Sequence, residues 1–243
     1  MSDEPALSDG KASPSPEALI AKTNRFYARY GAEVENLRLL VEVHLHQIVL
    51  AYCLDNRLPR ESIDVRTRVK PLTSFIEKLE RHGWPDFYYP TDVIQDLIGA
   101  RAVCWFIEDC YGLLRFLKES HQFVIRAHSV EDYIARPKAS GYRAVHVLAD
   151  FTYDAVARSD GRRRLTSASM VCEMQLRTRL QDAFGQMTHE FPYKETNEEL
   201  ARQYEQQVGH IAEALAEEDK RACALRPLVQ GAFSHEKRVG VRG

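Results

Sequence analysis

Residues 132–146 read Asp-Tyr-Ile-Ala-Arg-Pro-Lys-Ala-Ser-Gly-Tyr-Arg-Ala-Val-His, gathering Arg136, Lys138, Arg143 and His146 around one aromatic, Tyr142. Pro137 fixes φ and Gly141 permits a tight turn, so 136–141 reads as a loop, with a β-prone run following from Arg143. A cationic, glycine-containing loop with a projecting aromatic can meet a nucleotide, charge against phosphate and a flat ring against the base. Taken alone, the stretch reads first as a solvated surface loop.

Three further groups carry chemistry. Arg66, Arg68 and Lys70 alternate with apolar residues and share one face of a strand. Like charges so placed repel, so that face is either solvated or meets an anion. Arg101 interrupts an apolar, β-prone run, 98–106, where an unpaired buried charge is costly; it needs a partner or a cleft, and Asp96 lies just upstream. Glu173, Gln175 and Arg177 point one way from a strand predicted at 169–176, a row that suits the floor of a cleft. His189-Glu190 begins a zinc-protease His-Glu-x-x-His, but the fifth position is Tyr193 and the motif fails. His44 and His46, two apart on a helix, point away from each other.

The elements that must position these groups follow from periodicity. Ser15-Pro16-Glu17 is a helix start, and near-helical apolar spacing continues to about residue 56, as one helix or two with a break near Gly31. A strand over 64–71 precedes a helix over 72–82; a short helical turn over 92–97 feeds the strand 98–106. A helix from 108 to 117 and a strand over 123–127 come next. Strands over 145–153 and 169–176 are joined through Ser159-Asp160-Gly161, which runs into Arg162-Arg163-Arg164. Helices over 179–190 and about 200–215 close the pattern, and 226–243 reads as a loose basic tail. The order gives an α+β fold, a mixed sheet covered by helices, with helical extensions at both ends. No Walker loop and no Gly-x-Gly-x-x-Gly occurs.

Composition narrows the classes. The 33 Lys and Arg against 35 Asp and Glu leave a formal charge of −2, so any polyanion site must be local. Five scattered cysteines without a Cys-x-x-Cys pair point to a reducing cytosol rather than a disulfide framework. The polar first fifteen residues are not a signal peptide, and no apolar run is expected to approach a membrane span.

Four segments, in order, resemble the synthetase domain of the RelA/SpoT alarmone synthetases: Arg68-Val-Lys-Pro with Ser74 and Lys78; Asp96-Leu-Ile-Gly-Ala-Arg101; Asp132 to Arg143 with His146; and Glu173-Met-Gln-Leu-Arg-Thr178 with His189-Glu190 and Tyr193-Lys194. The resemblance covers roughly 64–194. It implies a nucleotidyltransferase-like mixed sheet and transfer of the pyrophosphate of ATP to the ribose 3′-hydroxyl of GDP or GTP, with release of AMP. It implies Mg²⁺ held by Asp96 and Glu173, with Glu173 also taking the 3′-hydroxyl proton. By the same carry-over Arg68 and Arg101 sandwich adenine, while Lys70, Lys78 and Ser74 meet ATP phosphates. Lys138, Arg143 and His146 meet the acceptor's phosphates and Tyr142 stacks on its guanine; Gln175, Arg177 and His189 play supporting parts. The implied organisation is a lead-in over 1–14, a helical extension over 15–58, the synthetase domain over 59–194, and a helix with basic tail over 195–243. That leaves no room for the family's hydrolase and regulatory domains, so the chain resembles the stand-alone or toxic small alarmone synthetases. Two alternatives stay open: a toxin-type relative that modifies the 3′ end of tRNA or makes (p)ppApp, and an inactive nucleotide sensor. A homo-oligomer or an antitoxin partner is compatible with either, as is a cytoplasmic location.

Overall fold

The structure is a computed structural model that describes residues 14–190 and 198–239, with the backbone alone at Ser159, His189, Glu190 and beyond Phe233. The chain begins with α1 (Pro16–Asn56), a single unbroken helix of 41 residues. Ser15 caps it by accepting from the Ala18 amide at 3.3 Å, and Arg57 ends it in the left-handed region at φ 54°. Gly31 causes no break, since continued packing on both sides outweighs its weak helix propensity. Then come β1 (Ile63–Val69), α2 (Leu72–Arg81), β2 (Ile98–Cys104), α3 (Ile107–Glu119) and β3 (Phe123–Ile125). A two-residue β4 (Glu131–Asp132) precedes the paired long strands β5 (Val145–Ser159) and β6 (Arg162–Thr178). The helices α4 (Arg179–Glu190), α5 (Glu198–Ala222) and α6 (Arg226–Val239) complete the described chain.

The sheet runs β1-β2-β6-β5-β3, with β4 on the same side of β5 as β3; β2 and β6 are parallel and the other neighbours antiparallel. One face is apolar. Ala100 and Ala102 of β2, Cys172, Met174 and Leu176 of β6, and Val147, Ala149 and Phe151 of β5 are all buried there. They share a core with Val41, Leu45, Val49 and Tyr52 of α1 and with Leu113 and Leu117 of α3. The opposite face carries Arg66, Arg68, Arg101, Glu173, Gln175 and Arg177 and is partly covered by α4. Strand alternation thus delivers oil to one side and charge to the other.

Several expectations are corrected. The 92–97 helical turn is a short 3₁₀ turn at Pro90–Asp92, held where the Tyr88 and Tyr89 amides donate to Asp92. The strands expected over 145–153 and 169–176 extend into a hairpin arm, so Arg162, Arg163 and Arg164 belong to a strand rather than a loop. Its turn is Asp160-Gly161, at φ 52° and 75°, the positive-φ pair that a two-residue hairpin turn demands. The tail expected to be loose forms α6, because Arg226 donates to Asp109 at 2.8 Å, Tyr52 at 3.1 Å and Asn56 at 3.2 Å. Finally, α1 does hold an 18-residue window of mean hydropathy 1.4, long and apolar enough to cross a membrane by length and composition. Its Val41–Leu45–Val49–Tyr52 stripe is packed on the sheet, as a core helix's is.

Candidate active site

The polar sheet face holds a cleft of about 220 Å³ lined by Arg68, Asp96, Gly99, Arg101, Glu173 and Gln175, among others. Register explains the grouping. Gly99 of β2 faces Arg68 on one side and Glu173 on the other, so the three strands bring an arginine and a carboxylate to either flank of one glycine. Arg66 lies opposite Arg101, which makes Arg68 and Arg101 diagonal neighbours on one face. Such diagonals are ~7–8 Å apart, the separation at which a flat ring can lie between two guanidinium planes.

Asp96 sits two residues before β2, where the chain enters the sheet. Its Oδ2 accepts from Lys70 Nζ at 2.7 Å and its Oδ1 from Lys78 Nζ at 3.0 Å. Lys70 is fixed from both ends: its amide donates to Leu97 O at 2.8 Å, and its own carbonyl accepts from the Tyr27 hydroxyl at 2.7 Å. Lys78 projects from α2, and Ser74, one turn earlier, shares its helix face. Burial pushes the Asp96 carboxyl up, but the two lysine hydrogen bonds outweigh it and hold the group below the usual carboxylate range. A carboxylate held low contributes stability above its ordinary pKa and loses it as pH falls through the lowered value.

Glu173 is held from the His146 side of the cleft. His146 Nδ1 lies 2.9 Å from its Oε1, and Gln175 Nε2 donates to the same oxygen at 3.3 Å. The His146 bond, opposed by burial, keeps Glu173 below its ordinary pKa, so both carboxylates are ionised at neutral pH. His146 Nε2 in turn lies 2.9 Å from the Tyr142 hydroxyl, with the two rings edge to face. Lys138 Nζ stands 4.3 Å from the Tyr133 ring centre and 5.6 Å from that of Tyr142. The loop is shaped by a turn in which the Gly141 amide donates to Lys138 O, and Gly141 adopts φ 78°. A Cβ there would lie 2.3 Å from that of Ala212, so α5 presses directly on the glycine.

Asp96, Glu173, Arg68, Lys70, Lys78, Arg101, Gln175, Tyr142 and His146 therefore assemble as one site, with Lys138 at its rim. Arg143 does not join them. Its Nη1 donates to Ile134 O at 3.0 Å and its Nε is buried without a partner, so it braces the loop rather than lining the cleft. Arg177 lies beneath the site, ion-paired to Asp182 of α4. The side chain of His189, with Tyr193 and Lys194, falls outside the described residues. Two acids escaped the sequence reading. Asp182 accepts from three arginines of the sheet, and Asp219 of α5 accepts from Thr178 at 2.9 Å and Gln181 at 2.8 Å, anchoring α5 at the β6–α4 junction.

Asp96 and Glu173 are the two carboxylates of this cleft, and among the described residues no cluster of three potential ligands occurs. That donor set suits Mg²⁺, which binds through one or two carboxylates and completes its shell with water and substrate phosphates.

The chain resembles known proteins in both sequence and fold. The family model described as "Region found in RelA / SpoT proteins" matches residues 67–198, more than half of the chain. The GTP pyrophosphokinase YjbM of Bacillus subtilis is 28% identical over 218 residues, covering 88% of this chain and 94% of that protein. The GTP pyrophosphokinase YwaC of the same organism is 27% identical over 162 residues, 66% of this chain and 72% of its own. The structure of small alarmone synthetase 1 from Bacillus subtilis bound to its product pppGpp superposes with a TM-score of 0.65 at 25% identity, over 86% of this chain and 98% of that one. A sheet with one charged face, two carboxylates in its cleft and a family match running from within β1 to beyond α4 lead to one assignment: this chain belongs to the RelA/SpoT family and has the fold of its small alarmone synthetases.

Proposed function

We propose that the chain is a (p)ppGpp synthetase, which moves the β,γ-pyrophosphoryl group of ATP to the ribose 3′-hydroxyl of GDP or GTP and releases AMP. The observation that carries this reading is the meeting of Asp96 and Glu173 in one cleft, flanked by the Arg68–Arg101 pair on one side and by Tyr142–His146 on the other. The two sides suit two nucleotides held with their reacting ends together.

In this reading ATP enters with adenine between Arg68 and Arg101, whose planar cations stack on an aromatic base. Its phosphates meet Lys70, Lys78 and the first turn of α2 at Ser74, where helix amides favour an anion. Two nucleoside triphosphates bring roughly eight negative charges together, and these cations offset part of the repulsion that would keep them apart. Asp96 and Glu173 would hold Mg²⁺, which supplies charge neutralisation at the transferring phosphorus. The acceptor guanine stacks on Tyr142, Lys138 meets its phosphates, and its 3′-hydroxyl approaches Glu173. As the 3′-oxygen bonds to the β-phosphorus, the β-phosphorus–bridging-oxygen bond breaks, AMP departs with that oxygen, and Glu173 takes the hydroxyl proton. Gln175 and His146 hold the carboxylate in place for this. The same reading takes 59–194 as the synthetase unit, 15–58 and 195–243 as helical flanks, and the cytoplasm, where its thiols stay reduced, as its location.

The test is product analysis with γ-labelled ATP and Mg²⁺ against GDP, GTP, ATP and tRNA in turn. Labelled guanosine tetra- or pentaphosphate together with AMP is the expected result. Label appearing only on tRNA or on an adenine nucleotide would replace the acceptor assignment; no transfer to any acceptor would remove the enzyme.

Acceptor choice also predicts two variants. Stacking on an aromatic is worth roughly 1–3 kcal/mol, so Tyr142→Ala should raise the guanine acceptor's KM about 5–150-fold with ATP affinity nearly unchanged. Tyr142→Phe, which keeps the ring and loses the bond to His146, should lie close to the parent. Arg163 stands ten residues from Glu173 along β6, ~30 Å at strand rise, so reversing Arg162 and Arg163 to Glu should leave guanine transfer unaltered. Strong loss with the reversed arginines and none with Tyr142→Ala would favour a nucleic-acid acceptor instead.

A further inference from the structure

Asp182 occupies the first turn of α4, where a carboxylate also suits the helix dipole, and only 6% of its side chain is exposed. Its Oδ1 accepts from Arg101 Nη1 at 3.1 Å and from Arg177; its Oδ2 accepts from Arg66 Nη1 at 3.3 Å and Gln186 Nε2 at 2.7 Å. The three arginines come from three adjacent strands, β1, β2 and β6, on the same sheet face. One buried carboxylate therefore gathers three guanidinium groups that would otherwise repel one another.

These arginines are not equivalent. Arg177 is enclosed, with 4% of its side chain exposed, and Gly185, one turn along α4, makes room for it: a Cβ there would stand 2.8 Å from Arg177 Nη1. That pair alone would seat α4 on the sheet. Arg101, 30% exposed, lines the cleft with Asp96 and Glu173, and so does Arg66. Asp182 holds Arg101 through one edge nitrogen, which fixes the guanidinium while leaving its flat faces out of the bond. Arg68, the partner platform, is set differently: its Cγ and Nε lie over Gly99, each 3.6 Å from where a Cβ would be.

We propose that Asp182 is a positioning residue for the donor nucleotide, presetting the Arg101 guanidinium as a platform for adenine while α4 closes over the sheet. This rests on the reading of Arg101 as an adenine contact. Without the anchor, Arg101 is pushed away by Arg177 and Arg66 and must be ordered at the moment ATP binds. Ordering a long side chain weakens binding by about 10–30-fold.

Asp182→Asn is accordingly expected to raise the KM for ATP about 10–30-fold, with kcat and the KM for GDP changing less than about threefold. Asp182→Glu, which keeps the charge, should recover most of the ATP affinity. The decisive comparison is made in an Arg101→Ala background, where Asp182→Asn should add less than about twofold to the ATP KM, since coupled residues are not additive. Independent multiplication of the two effects overturns the proposal, as does a fall in kcat with parallel rises in the KM of both ATP and GDP, which is the signature of a structural clamp. If Arg101→Ala raises the ATP KM and Asp182→Asn does not, the inference about Asp182 fails while the donor reading stands. If Arg101→Ala itself leaves the ATP KM unchanged, the donor reading fails and takes the inference with it. Should Asp182→Asn not fold, Asp182→Asn with Arg177→Gln removes both buried charges together and permits the same measurements, with the same expected rise in ATP KM.

Discussion

Glu173→Gln is expected to lower turnover by about 10²–10⁴ with ATP binding largely intact, because an amide of the same shape cannot take a proton from the attacking hydroxyl. The geometry makes this a clean substitution. Glu173 lies on a central strand between β2 and β5, and its Oε1 faces His146 and Gln175. An amide oxygen can still accept from either, so the fold and the acceptor wall are retained. The carboxylate is held below its ordinary pKa by His146, against the opposing effect of burial, so the base is present throughout the neutral range. Activity that depends on it should hold as pH falls from neutrality and decline only through the acid range below an ordinary glutamate. Single-turnover AMP release and ATP affinity, measured on the same preparation, separate chemistry from binding. Turnover within about tenfold of the parent would mean that another group takes the proton.

How much of this site could be read before folding depends on whether its members repeat along a single element. Arg68 beside Arg66 and Lys70, and Glu173 beside Gln175 and Arg177, were legible because strand alternation carries them to one face. Arg101 stood out as a charge in an apolar run. The Asp160-Gly161 pair held a hairpin signal too, yet the exposed residues beyond it, with Arg162 to Arg164 on both faces, lack the alternation that marks a half-buried strand. Asp182 and Asp219 gave no signal. Apart from Arg177 and Gln186, five and four residues from Asp182, their partners lie 38–116 residues away, and an Arg or Gln at such short spacing does not distinguish an acid from a solvated one. The same holds for α6, which depends on Arg226 reaching Asp109 and Tyr52, 117 and 174 residues upstream. Long-range pairing of this kind overrides local propensity and is invisible to it. Arg143 shows the converse limit: the motif places it where the loop gives way to the strand, but only the fold decides that its guanidinium turns back to Ile134 rather than forward to the cleft.

Asp96→Asn is expected to abolish transfer, by at least about 10³, since a carboxylate that would hold the metal and face the transferring phosphates becomes neutral. It should also cost stability, and the two effects can be told apart. Asp96 is the partner of Lys70, only 8% of whose side chain is exposed, so the neutral variant leaves a largely buried ammonium with a single weak acceptor. Breaking a buried pair from one side is worth about 3 kcal/mol, which lowers the Tm of a chain this size by roughly 6–12 °C. Removing the lysine as well, in Asp96→Asn with Lys70→Met, relieves the stranded charge. That double variant should regain most of the lost Tm and none of the activity. If activity returned with stability, Asp96 would be a structural counter-ion and nothing more. Raised Mg²⁺ should rescue the single variant only partly, because Glu173 alone then remains on the cleft wall. A chelator titration of the parent separates the two roles: full activity in metal-free buffer would take metal holding from both carboxylates, leaving Glu173 as the proton acceptor and Asp96 as only the anchor for Lys70 and Lys78.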